Sequence, residues 1–123
     1  MVKLLKDEKI IDTRDVKIIK SKELDISYFT FSKHFSLFLT TQRVIFEDEE
    51  KDLKLKYKDI LLCELKDGEE HKEIGCKYMN KNKIQNELSF RASVGWLSGM
   101  NVEKETVSLF NSISQLIHRT PLK

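Results

Sequence analysis

Phe35-Ser36-Leu37-Phe38-Leu39-Thr40-Thr41-Gln42-Arg43-Val44-Ile45-Phe46-Glu47 decides the fold class. Along Phe35–Thr40 the side chains alternate with a period of two. Phe35, Leu37 and Leu39 take one face and Ser36, Phe38 and Thr40 the other, the mark of a strand with one buried side. Thr41-Gln42 turns the chain, and in the next strand Val44 and Phe46 face inward. The run Asp48–Asp52 is too charged to bury and reads as a hairpin loop. Beyond it Leu53-Lys54-Leu55-Lys56-Tyr57-Lys58 alternates again, with Leu53, Leu55 and Tyr57 on one side and three lysines on the other.

The same period continues in both directions. Upstream, Lys9–Lys20 is one long β-prone run; downstream come Ile60–Leu65, closed by the turn signal Lys66-Asp67-Gly68, then Glu73–Met79 and Ile84–Arg91 around Asn80-Lys81-Asn82-Lys83. In the last of these Ile84, Leu88 and Phe90 share a face with Asn86. Seven strands therefore follow one another with no helix between them. Ser21–Thr30 is either a long loop or part of an eighth strand. From Val102 to His118 the period changes: Val102, Leu109, Phe110, Ile113, Leu116 and Ile117 lie on one arc of a helix. Asn101 is the expected N-cap, Glu103 and Glu105 suit the positive end of the dipole, and His118-Arg119 suit the negative end. The fold class expected is mainly β with one C-terminal amphipathic helix packed on the strand faces.

The composition bounds what such a chain does. With 123 residues and a single proline near the end, it reads as one domain, residues 1–123. Charged residues make up 34% of it, yet 22 basic side chains nearly cancel 20 acidic ones. That balance argues against direct nucleic-acid binding as the main task. No apolar run approaches the roughly 18 residues of a spanning helix. Cys63 and Cys76 make no disulfide framework, so a reducing compartment is the expectation, with Cys63 packed inward beside Leu61 and Leu65.

Catalytic chemistry is hard to place. His34, His71 and His118 lie far apart, and His71 with Cys63 and Cys76 lacks the close paired spacing of a zinc site. No phosphate-cradling glycine loop or nucleophile elbow occurs. The expectation is a binding domain, not an enzyme, with no cofactor and no metal. Its candidate anion ligands are Lys17, Lys20 and Lys22 at and beyond the end of the first strand, and Lys81 and Lys83 on the last hairpin, with Arg43 or Arg91 giving a bidentate phosphate contact. The Lys54/Lys56/Lys58 row reads more simply as a guard against edge-to-edge pairing. Ala92–Met100 is uncharged and carries Trp96 with Val94 and Leu97. It is either a loop touching a membrane or partner, or a plug that closes the barrel end.

Several of these stretches carry a family resemblance. Leu39-Thr40-Thr41-Gln42-Arg43-Val44-Ile45-Phe46 resembles the L-[ST]-T-x-R-[LIV]-[LI]-[WF] hairpin of PH-like domains of the GRAM and GLUE type. Leu4-Leu5 with Glu8, Val16–Ile19, Ile60-Leu61-Leu62 and Leu88-Ser89-Phe90-Arg91 resemble strands of the GLUE domain of an ESCRT-II subunit. Lys33-His34-Phe35 stands where such domains often carry a glycine. The resemblance implies a seven-stranded antiparallel barrel capped by the helix. It also implies binding of acidic phosphoinositide headgroups and ubiquitin, docking to other subunits of the same complex, and a cytoplasmic place at endosomal membranes. Tyr57-Lys58-Asp59-Ile60 is also similar to the PH domain of a core TFIIH subunit. That likeness implies a nuclear domain binding acidic peptides of transcription and repair factors.

Overall fold

The computed structural model describes residues 2–27, 33–93 and 99–119. Alternation sets the strands: β1 (Ile10–Ser21), β2 (Lys33–Thr40), β3 (Arg43–Glu47), β4 (Asp52–Lys56), β5 (Ile60–Asp67), β6 (Lys72–Met79) and β7 (Gln85–Ala92), followed by α1 (Gly99–Arg119). All ladders are antiparallel, in the order β4-β3-β2-β1-β7-β6-β5. β1 joins the two halves: Ile10–Ile18 pairs with β2, and Val16–Ser21 pairs with β7. A bulge between Ile18 and Lys20 falls where β1 runs along β7, and such an extra residue bends and twists a strand. Inward side chains of all seven strands join one core, including Val16, Leu37, Phe46, Leu55, Ile60, Tyr78 and Phe90. The sheet therefore curls around a common interior, with Phe46 and Phe90 meeting edge to face at 4.9 Å. It stays open along a seam, because β4 and β5 are its two edges.

The helix covers part of this curl. Leu109 and Ile113 are buried in the core, and α1 packs on β5, β6, β7 and the short 3-10 turn Tyr57–Asp59 that links the two edge strands. Thr106 is fully buried and accepts a hydrogen bond from the Ala92 amide at 3.0 Å.

Several expectations need correction. The helix begins at Gly99, so Asn101 lies inside its first turn and is not its N-cap. The β4 strand ends at Lys56; Tyr57 remains buried, but in the 3-10 turn, where its hydroxyl donates to the Thr40 carbonyl at 2.7 Å. Ile84 precedes β7 and is 59% exposed. In β5 a bulge between Ile60 and Leu62 shifts the alternation, so Leu61 and Leu62 are exposed while Cys63 and Leu65 turn toward the core. Cys63 faces Cys76 in the β5–β6 register with a Cα separation of 4.3 Å, and the two sulfurs form a disulfide. Spacing along the chain could not show that pairing, which the bulge sets. Ser21–Ile26 closes as a turn with a single bridge between those two residues, and Leu24 and Ile26 are buried beneath it.

Candidate functional site

Beside the β4 edge of the seam lies a cleft of 460 Å³. β4 supplies one wall. Because Leu53 and Leu55 go to the core, Lys54 and Lys56 must point away from it, and they line the cleft. The β6–β7 hairpin supplies the other wall with Tyr78 and Lys81. Its conformation is fixed by Asn80, whose side-chain oxygen accepts from the amides of Asn82 and Ile84 at 2.9 and 3.0 Å. Lys83 completes the turn with a left-handed φ of 61°, and both hairpin lysines stay exposed. The turn after β1 adds Glu23.

These loops are tied together. The Tyr78 hydroxyl donates to Glu23 Oε1 at 2.7 Å, and burial, reinforced by that carboxylate, holds the phenol well above its ordinary pKa. Lys51 Nζ in the β3–β4 loop donates to the Leu24 carbonyl at 2.9 Å. The floor is thus held in place while the lysines remain solvated.

The charge pattern of the cleft is two-sided. Lys54, Lys56 and Lys81 stand with Glu23, Asp52 and Asp59. The contact between Lys54 and Asp52 is loose, 3.7 Å between exposed groups, and contributes little. Such a cleft can hold a polyol phosphate, with phosphates on the lysines and hydroxyls donating to the carboxylates. A second cleft, of 390 Å³, is lined by Asp15, Glu47, Asp48 and Glu49 with His34 and Ser93. Its carboxylates repel anions, which makes the lysine-bearing cleft the better candidate of the two.

No protein-family model matches the sequence, and no curated protein matches it. Solved structures do. The hSac2 domain from the human phosphoinositide phosphatase Sac2 superposes with a TM-score of 0.72 at 13% identity, covering 98% of this chain and 77% of that one. The Vps36 N-terminal PH domain superposes with a TM-score of 0.51 at 20% identity, covering 88% and 86%. The fold is PH-like.

The PH-like frame sorts the candidate residues. Lys81 lines the cleft, Lys83 lies on the same hairpin, and Lys22 sits beside Glu23 in the turn after β1. Lys20 lies opposite Ser89 on β7, and Lys17 lies further along β1 between His34 and Arg91. Neither Lys17 nor Lys20 lines the cleft. Arg43 borders the cleft but is not free to grip a phosphate. It is 6% exposed; its Nε and Nη2 donate to the two oxygens of Glu8 at 2.8 and 3.0 Å, and Nη2 also donates to the Lys3 carbonyl at 2.8 Å. Glu8 gives it a structural partner that periodicity could not reveal. Val94, Trp96 and Leu97 lie outside the described residues. Lys54 and Lys56, read from sequence as edge guards, are the cleft residues that reading undervalued. The signal was present in their strict alternation with core leucines.

Proposed function

We propose that this PH-like domain binds phosphoinositide headgroups in the seam cleft, with Lys54, Lys56 and Lys81 as phosphate ligands and Lys22 and Lys83 beside them. The observation that carries the reading is the convergence of β4 and the β6–β7 hairpin, each presenting lysine, on one cleft whose floor is cross-tied. The mechanism is charge-assisted hydrogen bonding to phosphate, aided by the negative potential of the membrane surface. It requires no catalysis by the domain. One neighbour in fold comes from a phosphoinositide phosphatase, which agrees with that ligand class. The GLUE-like motifs support a place in an ESCRT-II-type endosomal sorting complex, with ubiquitin as second ligand and other subunits as partners.

The test is co-sedimentation with phosphatidylcholine/phosphatidylserine vesicles, with and without phosphoinositide, at low and raised salt. Phosphoinositide increases the bound fraction, salt reduces it, and K56E/K81E abolishes the increment. Equal binding to both vesicle types contradicts the proposal.

A second reading rests on β4 itself, which among the described residues pairs only with β3 and borders the cleft. An extended acidic peptide can add to that edge beside Lys54 and Lys56. In that case K56E weakens peptide binding and phosphoinositide has no effect.

A further inference from the structure

Among the described residues seven large apolar side chains are exposed, and four of them lie in one short stretch: Leu4 and Leu5 at 43%, Ile10 at 45% and Ile11 at 53%. The stretch is not loose. Arg43 Nη2 holds the Lys3 carbonyl at 2.8 Å and Gln42 Nε2 holds the Lys6 carbonyl at 3.1 Å. The Thr41 amide donates to the Lys9 carbonyl at 2.9 Å. Inside the turn, Glu8 Oε1 accepts from the Leu5 amide at 2.8 Å, and the Glu8 amide donates to the Leu5 carbonyl at 3.1 Å. Glu8 points inward and the two leucines are left outside, on a backbone fixed at Lys3, Lys6 and Lys9 to residues 41–43 of the β2–β3 hairpin.

The charges around those leucines have one dominant sign. Lys3, Lys6 and Lys9 are exposed, whereas Glu8 is buried against Arg43 and Asp12 is engaged by Arg14 at 2.8 Å. Asp7 is the one exposed carboxylate between Lys3 and Lys9. We propose that segment Lys3–Ile11 is a bilayer anchor, in which Leu4 and Leu5 enter the interfacial layer of an anionic membrane and Lys3, Lys6 and Lys9 meet its lipid phosphates. Aliphatic side chains interleaved with lysines suit that boundary, because lysine stems lie along apolar surface while their ammonium groups stay at the headgroups. A rigid presentation adds affinity, since little chain entropy is lost on insertion. Arg43 ties the segment to the rim of the headgroup cleft, but no residue of Lys3–Ile11 lines that cleft.

The experiment uses an L5C variant carrying an environment-sensitive NBD label; the native cysteines are joined to each other and do not react. Phosphatidylcholine/phosphatidylserine vesicles without phosphoinositide keep the result independent of the cleft. The label at position 5 shifts to the blue and is quenched by spin-labelled lipid, whereas the same label on E70C, in the β5–β6 turn, does neither. L4S/L5S lowers partitioning by about tenfold or more, and K3E/K6E/K9E lowers it while removing its salt dependence. Both variants keep the parent melting temperature, because the changed side chains are exposed. A label at position 5 that stays water-like on these vesicles overturns the proposal. So does equal insertion into pure phosphatidylcholine, or a blue shift produced by protein concentration alone, which would assign the leucines to a second copy of the chain.

Discussion

Glu8 and Glu73 are both buried carboxylates, and their surroundings push them in opposite directions. Burial works to raise Glu8, but hydrogen bonds from Arg43, Thr40 and the Leu5 amide outweigh it and leave the carboxyl below its ordinary pKa. Its contribution to stability is therefore fully present above the ordinary carboxylate value and is lost as pH falls through the folded value. Glu8→Gln leaves Arg43 buried without its counter-charge and lowers unfolding free energy by about 3 kcal/mol at pH 7. Urea titrations should show that difference shrinking in acid. Glu73 is raised, chiefly by burial, with Lys66 and Arg91 opposing and Glu69 adding to it. Among the described residues its Oε1 finds no hydrogen-bond partner. The folded state prefers the protonated acid, so stability falls as pH rises from the ordinary value through the folded one, and the loss is complete above it. Glu73→Gln should match or exceed the parent protein at pH 7 and show no advantage near pH 4; a loss of stability at pH 7 contradicts this. Neither role was legible in the sequence. Glu8 stood there only as a neighbour of Leu4-Leu5, and Arg43 as a phosphate ligand, because periodicity reports which face is buried and not which charges meet there.

At the scale of elements, the β5–β6 hairpin shows where local reading stops. The sequence places its turn at Lys66-Asp67-Gly68, but β5 runs on through Asp67 and the turn begins at Gly68, where the reason for glycine lies in space. A Cβ on Gly68 would sit 2.1 Å from Glu73 Oε2 and 2.6 Å from the His71 carbonyl oxygen. Gly68→Ala should therefore destabilise the domain by about 1–3 kcal/mol through overpacking against backbone, seen as a lower urea midpoint. The disulfide of Cys63 and Cys76 closes a loop with a sequence separation of 13. A loop of that size favours the folded chain by about 2–3 kcal/mol. Reduction should lower the melting temperature, and a thiol assay on the unreduced, unfolded protein should find no free cysteine. The strand bulge that brings the sulfurs together also exposes Leu61, which strict alternation had placed inside. The helix was the most legible element, since its apolar arc is long. Leu109 and Ile113 are buried as expected, and Leu109→Ala should cost about 2–4 kcal/mol in the same urea assay.

Over the whole molecule, strand number, order along the chain and the terminal helix were legible, because alternation and the later change of period are properties of neighbouring residues. The seam was not. It depends on β4 and β5 becoming edges of one curled sheet, and that brings Lys54 and Lys56 against a hairpin some 25 residues away in sequence. Only then do lysines from separate elements become one anion site. Observing the amides of isotope-labelled protein by NMR during titration with a soluble inositol polyphosphate tests this most directly. Saturable shifts are expected on β4 around Lys54 and Lys56 and on the hairpin around Lys81 and Lys83, weakened by salt and lost in K56E/K81E. Shifts confined to Lys17 and Arg91, which pair across β1 and β7 and do not line the cleft, or none at all at low salt, would contradict that assignment.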